Sequence, residues 1–181
     1  KSKACYVPLD HKNQDINQIK KEDFIELIKP ILEDEAILKI GQNIKYDYII
    51  LFNLGITILN MDDTMLMSYV LRTGLRGHNL DELAADFLSH TTIKYSDVTN
   101  IEKKKVTFDY VNVHDALRYA AEDADITFRL WEVLKIQLIQ NDLLNFYYCV
   151  EKPLVEVIAN MEINGVKINE DYLKVLSSDF S

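Results

Sequence analysis

No apolar run in this 181-residue chain approaches the roughly 20 residues needed to span a bilayer, and no signal peptide opens it. A membrane partner is therefore not expected, and the address expected is cytoplasmic. Cysteine is scarce: Cys5 and Cys149 lie far apart, outside any CxxC or other metal spacing. They read as reduced, partly buried thiols. Positive charge is also in deficit, with 20 Lys and Arg against 29 Asp and Glu, a net charge of −9. A protein that grips nucleic acid by neutralising phosphates is usually basic. If this chain meets nucleic acid, it does so through a small local site, or with help from metal ions or a neighbouring domain. There is no P-loop, GxGxxG, GxSxG or HExxH, and no internal repeat or low-complexity segment. What remains is 48% hydrophobic and 27% charged, an ordinary globular composition with enough apolar residues for one good-sized core. The chain opens on Lys1 and runs almost at once into strand-like residues, as expected of a piece of a longer protein.

Along the chain, "KACYVPL" (3–9), "AILKI" (36–40) and "ITIL" (56–59) read as strands. Apolar residues at Phe24, Leu27, Ile28, Ile31 and Leu32 have helical spacing, with Pro30 predicting a bend or an early stop. "KYDYIILFNLG" reads as a helix that Gly55 can close. Asp62 or Asp63 should cap a helix through "TMLMSYVLR", and Asn79 with Glu82 forms a capping-box-like start for "NLDELAADFL". "SHTTIKYSDVTNIEKKK" reads as a surface excursion. The longest helical signal runs from about Val113 to Ile139. Two further helical stretches stop at Asn164-Gly165, and another helix starts at "NEDYLKVL". Strands alternating with helices predict an α/β domain, and the all-helical end from about Leu143 predicts that a second one is beginning.

Acids inside "RYAAEDADITFRLW" need an explanation, because a buried unpaired carboxylate is costly. At 3.6 residues per turn, Glu122, Asp123 and Asp125 point in three different directions. Asp123 shares its face with Ala116, Tyr119, Ile126 and Leu130, so it needs a metal ion, a base or a hydrogen-bonding network. Asp47 is similar: it stands in the first turn of the helix after the "AILKI" strand, four residues beyond Asn43, with Ile50, Leu51 and Leu54 following on its face. The end of a strand entering a helix is where α/β proteins place their sites. For Asp47 alone, attraction to the helix N-terminus explains as much; for Asp123, a hydrogen-bonded core acid does.

"GQNIKYDYIIL", "DTMLMSYVL", "GHNLDELAADFL", "YAAEDAD" and "EKPLVEVIANMEINGVKI", in this order, closely resemble the proofreading 3′–5′ exonuclease domain of the bacterial DNA polymerase I family (family A polymerases) and its junction with the polymerase domain. The resemblance covers nearly the whole chain from about Lys3. It implies a ribonuclease-H-like α/β fold, a mixed sheet flanked by helices but lacking its first strands, over residues 1–142, and the first helices of a polymerase domain over 143–181. "GQNIKYD" and "YAAEDAD" are similar to the family's NxxxD and YxxxD motifs. The resemblance implies that four carboxylates hold two divalent ions, Mg2+ or Mn2+. Asp123 would ligate the ion carrying the attacking water, Tyr119 would orient that water, and Asp47 would hold the second ion. Gln42, Asn43, Tyr46, Arg76 and His78 match stretches lining the path of single-stranded DNA; without the family, His78 reads as a capping or surface histidine. The implied partners are the 3′ end of single-stranded or primer-template DNA and a polymerase domain of the same chain.

The family's first motif, a DxE pair on the opening strand, is absent, and Glu33, Asp34 and Glu35 do not replace it. Little or no exonuclease activity is therefore expected of these 181 residues by themselves, although the parent protein should have it. Two rivals stay open: an exoribonuclease of the ribonuclease D type, which shares NxxxD and YxxxD, and a non-catalytic polymerase scaffold.

Overall fold

The computed structural model describes residues 3–12, 16–74, 77–101 and 104–180. Helix α1 (Lys21–Leu32) carries Pro30 inside it and ends two residues later. Strand β1 (Lys39–Gly41) leads into α2 (Ile44–Phe52), which crosses over to β2 (Met61–Asp63). The two strands run parallel, Lys39 opposite Met61, Ile40 opposite Asp62 and Gly41 opposite Asp63. Helices α3 (Thr64–Leu71), α4 (Leu80–Leu88) and α5 (Tyr95–Thr99) follow, then a small antiparallel pair, β3 (Asn100–Ile101) with β4 (Lys104–Lys105). The long helix α6 spans Val113–Gln140. Beyond it, α7 (Leu144–Phe146), a π-helical turn (Tyr147–Glu151) and α8 (Lys152–Asn164) form a nearly continuous rod, and α9 (Glu170–Asp179) comes last.

The expected helices are present, and the two with an expected cap begin at it. Asp63, rather than Asp62, accepts from the Met65 N–H to start α3. Asn79 Oδ1 accepts from the Glu82 N–H at 2.9 Å while the Asn79 amide donates to Glu82 at 2.6 Å, a reciprocal box that opens α4. The sheet is smaller than expected. Residues 3–9 are irregular, with Pro8 offering no donor for a ladder. Residues 56–59 are irregular too, although Ile56 and Ile58 are buried. Their amides are used elsewhere: Thr57 N–H donates to Glu33 Oε1 and Leu59 N–H to Leu32 O, so this stretch seals the end of α1 and the ladder starts at Met61. Cys5 and Cys149 are free and exposed, not partly buried. Among the described residues, no helix is long and apolar enough to cross a membrane.

The main core lies between α3, α4 and α6. Ile126, Leu130, Leu134 and Leu138 recur every four residues down one face of α6 and meet Met67, Val70, Leu83 and Ala84. Tyr147, fully buried, joins this core from beyond Asp142. A second cluster packs Ile44 and Tyr48 of α2 and Met61 of β2 against Val155 and Ala159 of α8. Asp62 is fully buried and accepts from Trp131 Nε1 (2.8 Å) and Lys152 Nζ (2.9 Å). Space at the strand end is tight: a Cβ on Gly41 would lie 2.8 Å from Ile44 Cγ1 and 2.9 Å from Ile44 Cβ. Ile44 is itself buried and its Cβ cannot swing aside. Gly41→Ala should therefore lower stability by about 1–3 kcal/mol in urea unfolding.

Candidate active site

Strand β1 ends at Gly41, and the chain turns into α2 through Gln42 and Asn43. Asn43 adopts a left-handed backbone (φ 59°, ψ 45°) and its side chain makes no cap bond. The cap comes from β2. Asp63 Oδ1 accepts from Asn43 N–H at 3.0 Å and Oδ2 from Ile44 N–H at 2.9 Å, while Oδ1 also takes Met65 N–H at 2.9 Å. One turn into α2 stands Asp47. From the other side α6 brings Tyr119 and Asp123, one turn apart on one face. These three side chains, with Gln42, Asp81, Leu80 and Thr127 among others, line one cleft of about 570 Å³.

The three acids of α6 have separate tasks. Glu122 turns toward the segment before α5, accepting from Ile93 N–H (2.6 Å) and meeting His90 Nε2 (2.9 Å). Asp125 faces Arg129 at 3.5 Å on the same helix. Asp123 alone points into the cleft. Burial pushes its pKa up to about 6, with Asp81 and Glu122 adding to the rise and a hydrogen bond with the Tyr119 hydroxyl opposing it. Burial first, then Asp123, raises the Tyr119 phenol above its ordinary range. Its ring is fixed edge-on by Tyr95, centroids 6.0 Å apart, and tilted against Phe108 at 5.9 Å. Asp47 borders solvent, yet desolvation, then the charge of Asp63, raises its carboxyl as well. Asp63 is raised by burial despite the backbone donors around it.

The remaining candidates divide. Asn43 and Tyr46 are exposed on the first turn of α2, Tyr46 at 65%. The Gln42 amide is engaged at both ends: Nε2 donates to His78 O at 2.9 Å and Oε1 accepts from the Thr64 hydroxyl. His78 is buried, with Nδ1 2.7 Å from the Ser68 hydroxyl and its ring stacked on Tyr69 at 3.9 Å. Arg76 lies outside the described residues. Among the described residues no group of three or more His, Cys, Asp or Glu side chains is close enough to hold a metal ion by itself.

A profile described as 3′–5′ exonuclease matches residues 1–139. The chain belongs to the 3′–5′ exonuclease family. Among curated relatives of this exonuclease, DNA polymerase I of Rhizobium leguminosarum is 45% identical over 190 residues, covering 100% of this chain and 19% of that protein. DNA polymerase I of Pseudomonas aeruginosa is 38% identical over 97% of this chain and 20% of its own length. The exonuclease chain thus spans about a fifth of the length of these relatives. Among solved structures, the polymerase domain of Pol1 from M. smegmatis, in complex with DNA primer-template and dNTP, superposes with a TM-score of 0.71 at 24% identity. That match covers 90% of this chain and 25% of the other. Brucella melitensis NrnC gives 0.64 at 22% identity, covering 75% and 63%. These likenesses agree with the expected ribonuclease-H-like exonuclease fold.

Two acids at or near the cleft carry no local signal in the sequence of a place in the candidate site. Asp81 looks like an ordinary acid in the first turn of α4, and its place on the cleft wall depends on packing alone. Asp63 was legible as a cap for its own helix. Nothing local reveals that it also caps α2, because that depends on the strand register.

Proposed function

We propose that this chain is the proofreading 3′–5′ exonuclease unit of a bacterial DNA polymerase I. It acts on the 3′-terminal phosphodiester of single-stranded or frayed DNA and releases 5′-mononucleotides during replication and repair. The observation carrying this reading is the single cleft lined by Asp47, Tyr119 and Asp123, in a member of the exonuclease family. Residues from Leu143 onward begin the polymerase domain, docked on the exonuclease body through Tyr147, Val155 and Ala159.

The donors suit two divalent ions such as magnesium or manganese, which prefer oxygen ligands. Both aspartates also carry raised pKa values, a penalty that a cation relieves. Asp123 and Asp47 would hold the ions, which when bound supply an activated nucleophile and offset charge developing on the phosphate. Tyr119 stays protonated at neutral pH and keeps a hydroxyl hydrogen to donate, which suits it to orient water beside Asp123. Asn43 and Tyr46 face outward along the strand path, where an aromatic face can stack on a base without sequence preference. Gln42 edges the cleft and His78 holds Gln42 through its carbonyl. Ions held by these carboxylates would offset phosphate charge locally, so a net charge of −9 is no obstacle.

The sequence contains no DxE pair, so the 181-residue chain alone should release mononucleotides from a labelled strand slowly or not at all in manganese. In the full-length polymerase, Asp47→Ala should abolish release from a DNA strand while primer extension continues. Unchanged release would favour a scaffold without catalysis, and faster cleavage of RNA than DNA would favour a ribonuclease D-type enzyme.

A further inference from the structure

We propose that Asp63 is a positioning residue for the exonuclease reaction: its buried carboxylate fixes the turn between β1 and α2, and with it the places of Asp47 and Asn43. This rests on the functional reading above. The parallel register sets Asp63 opposite Gly41, two residues before the turn. From there both carboxylate oxygens reach the amides of Asn43 and Ile44, the residues that open the NxxxD motif. The carboxylate is itself held. Asp63 is 2% exposed, its backbone N–H donates to the Tyr147 hydroxyl at 2.9 Å, and Oδ1 is anchored to the first turn of α3 through Met65 N–H.

The consequence is visible at Asn43. An asparagine at a helix N-cap ordinarily folds its side chain back onto the first turn. Here Asp63 takes the amides of Asn43 itself and of Ile44 instead, and the Asn43 side chain makes no cap bond and stays exposed. The left-handed backbone at Asn43, an uncommon conformation outside glycine, is pinned by two hydrogen bonds rather than by its own side chain. Asp63 does not line the cleft and touches no candidate ligand directly. Its influence passes through the turn to Asp47, one helical turn onward.

The test separates the two tasks of Asp63 in the full-length polymerase. Asp63→Ser keeps a short acceptor able to cap α3, but the hydroxyl cannot also span to Asn43 and Ile44. In metal-free protein, the peptide covering 42–47 should exchange its amide hydrogens at least about tenfold faster, while 65–70 stays unchanged. The manganese concentration giving half-maximal nucleotide release should rise about 10- to 100-fold, with primer extension intact. Wild-type exchange at 42–47, or a wild-type manganese requirement, overturns the proposal. If Asp63→Ser does not fold, Asp63→Asn, which keeps the shape and one acceptor oxygen, serves in its place under the same criteria. Asp47→Ala run alongside separates the failures. If it retains normal release, the functional reading itself falls; if it loses release while the Asp63 variants do not, only this inference does.

Discussion

Asp123→Asn should yield a polymerase whose exonuclease is nearly silent and whose exonuclease fold is more stable than the parent's. Both effects come from the same carboxylate. On the proposed function Asp123 would ligate a catalytic ion, and removing its charge should then cost about a hundred- to ten-thousand-fold in nucleotide release. The gain in stability has the opposite origin. Burial, helped by Asp81 and Glu122, raises the Asp123 carboxyl from 3.8 to about 6. The metal-free folded state therefore binds a proton that the unfolded chain has already lost between these two values, and its stability falls as pH climbs through that window. Above pH 6 the whole penalty is present; below the unfolded value it is gone. Discounted for the partly open cleft, it amounts to about 1–2 kcal/mol. Thermal melts in chelator at pH 8 should show the asparagine variant higher by roughly 2–8 °C, and the difference should shrink toward zero at pH 4. A variant that melts lower at pH 8, or a gain that persists at pH 4, would mean that Asp123 is not held against its charge.

Helices were legible because their signals are local. The asparagine at 79 with Glu82, the aspartate before "TMLM" and the four-residue repeat from Ile126 to Leu138 each state their element within a dozen residues. The two acids that line the candidate cleft stood out for a similar reason: Asp47 and Asp123 each sit on an otherwise apolar row, where a carboxylate demands a partner. The sheet was not. Residues 56–59 have a strand's composition, but the end of α1 takes their amides through Glu33 and Leu32, so pairing begins at Met61. That competition is between segments, and no window of sequence contains it. The same holds for His78, whose burial beneath Tyr69 and beside Ser68 depends on how α3 and the turn before α4 meet. It holds too for Glu122, which looked like a third candidate acid and instead secures the chain ahead of α5.

Lys152→Met should destabilise the fold strongly although it lies away from the cleft. Asp62 is fully buried on β2, and Lys152, with 22% of its side chain exposed, supplies the one cation paired with it among the described residues, at 2.9 Å. Trp131 Nε1 at 2.8 Å and the Tyr147 hydroxyl at 3.5 Å also face the carboxylate, but neither carries charge. Removing one partner of such a pair leaves an uncompensated charge, which costs far more than the pair contributes. Because Lys152 still reaches solvent, a loss of about 3 kcal/mol is expected, read as a lower urea midpoint with an unchanged slope. Methionine keeps the aliphatic bulk beside Tyr148, over whose ring the ammonium sits at 5.0 Å. Adding Asp62→Asn to Lys152→Met should therefore restore most of the lost stability, since the amide oxygen can still accept from Trp131 and no charge is left stranded. If the double variant is no more stable than Lys152→Met alone, the damage lies in lost contact with Tyr148 rather than in a buried charge. Asp62 would then tolerate isolation, and the tie from α8 to β2 would be steric rather than electrostatic.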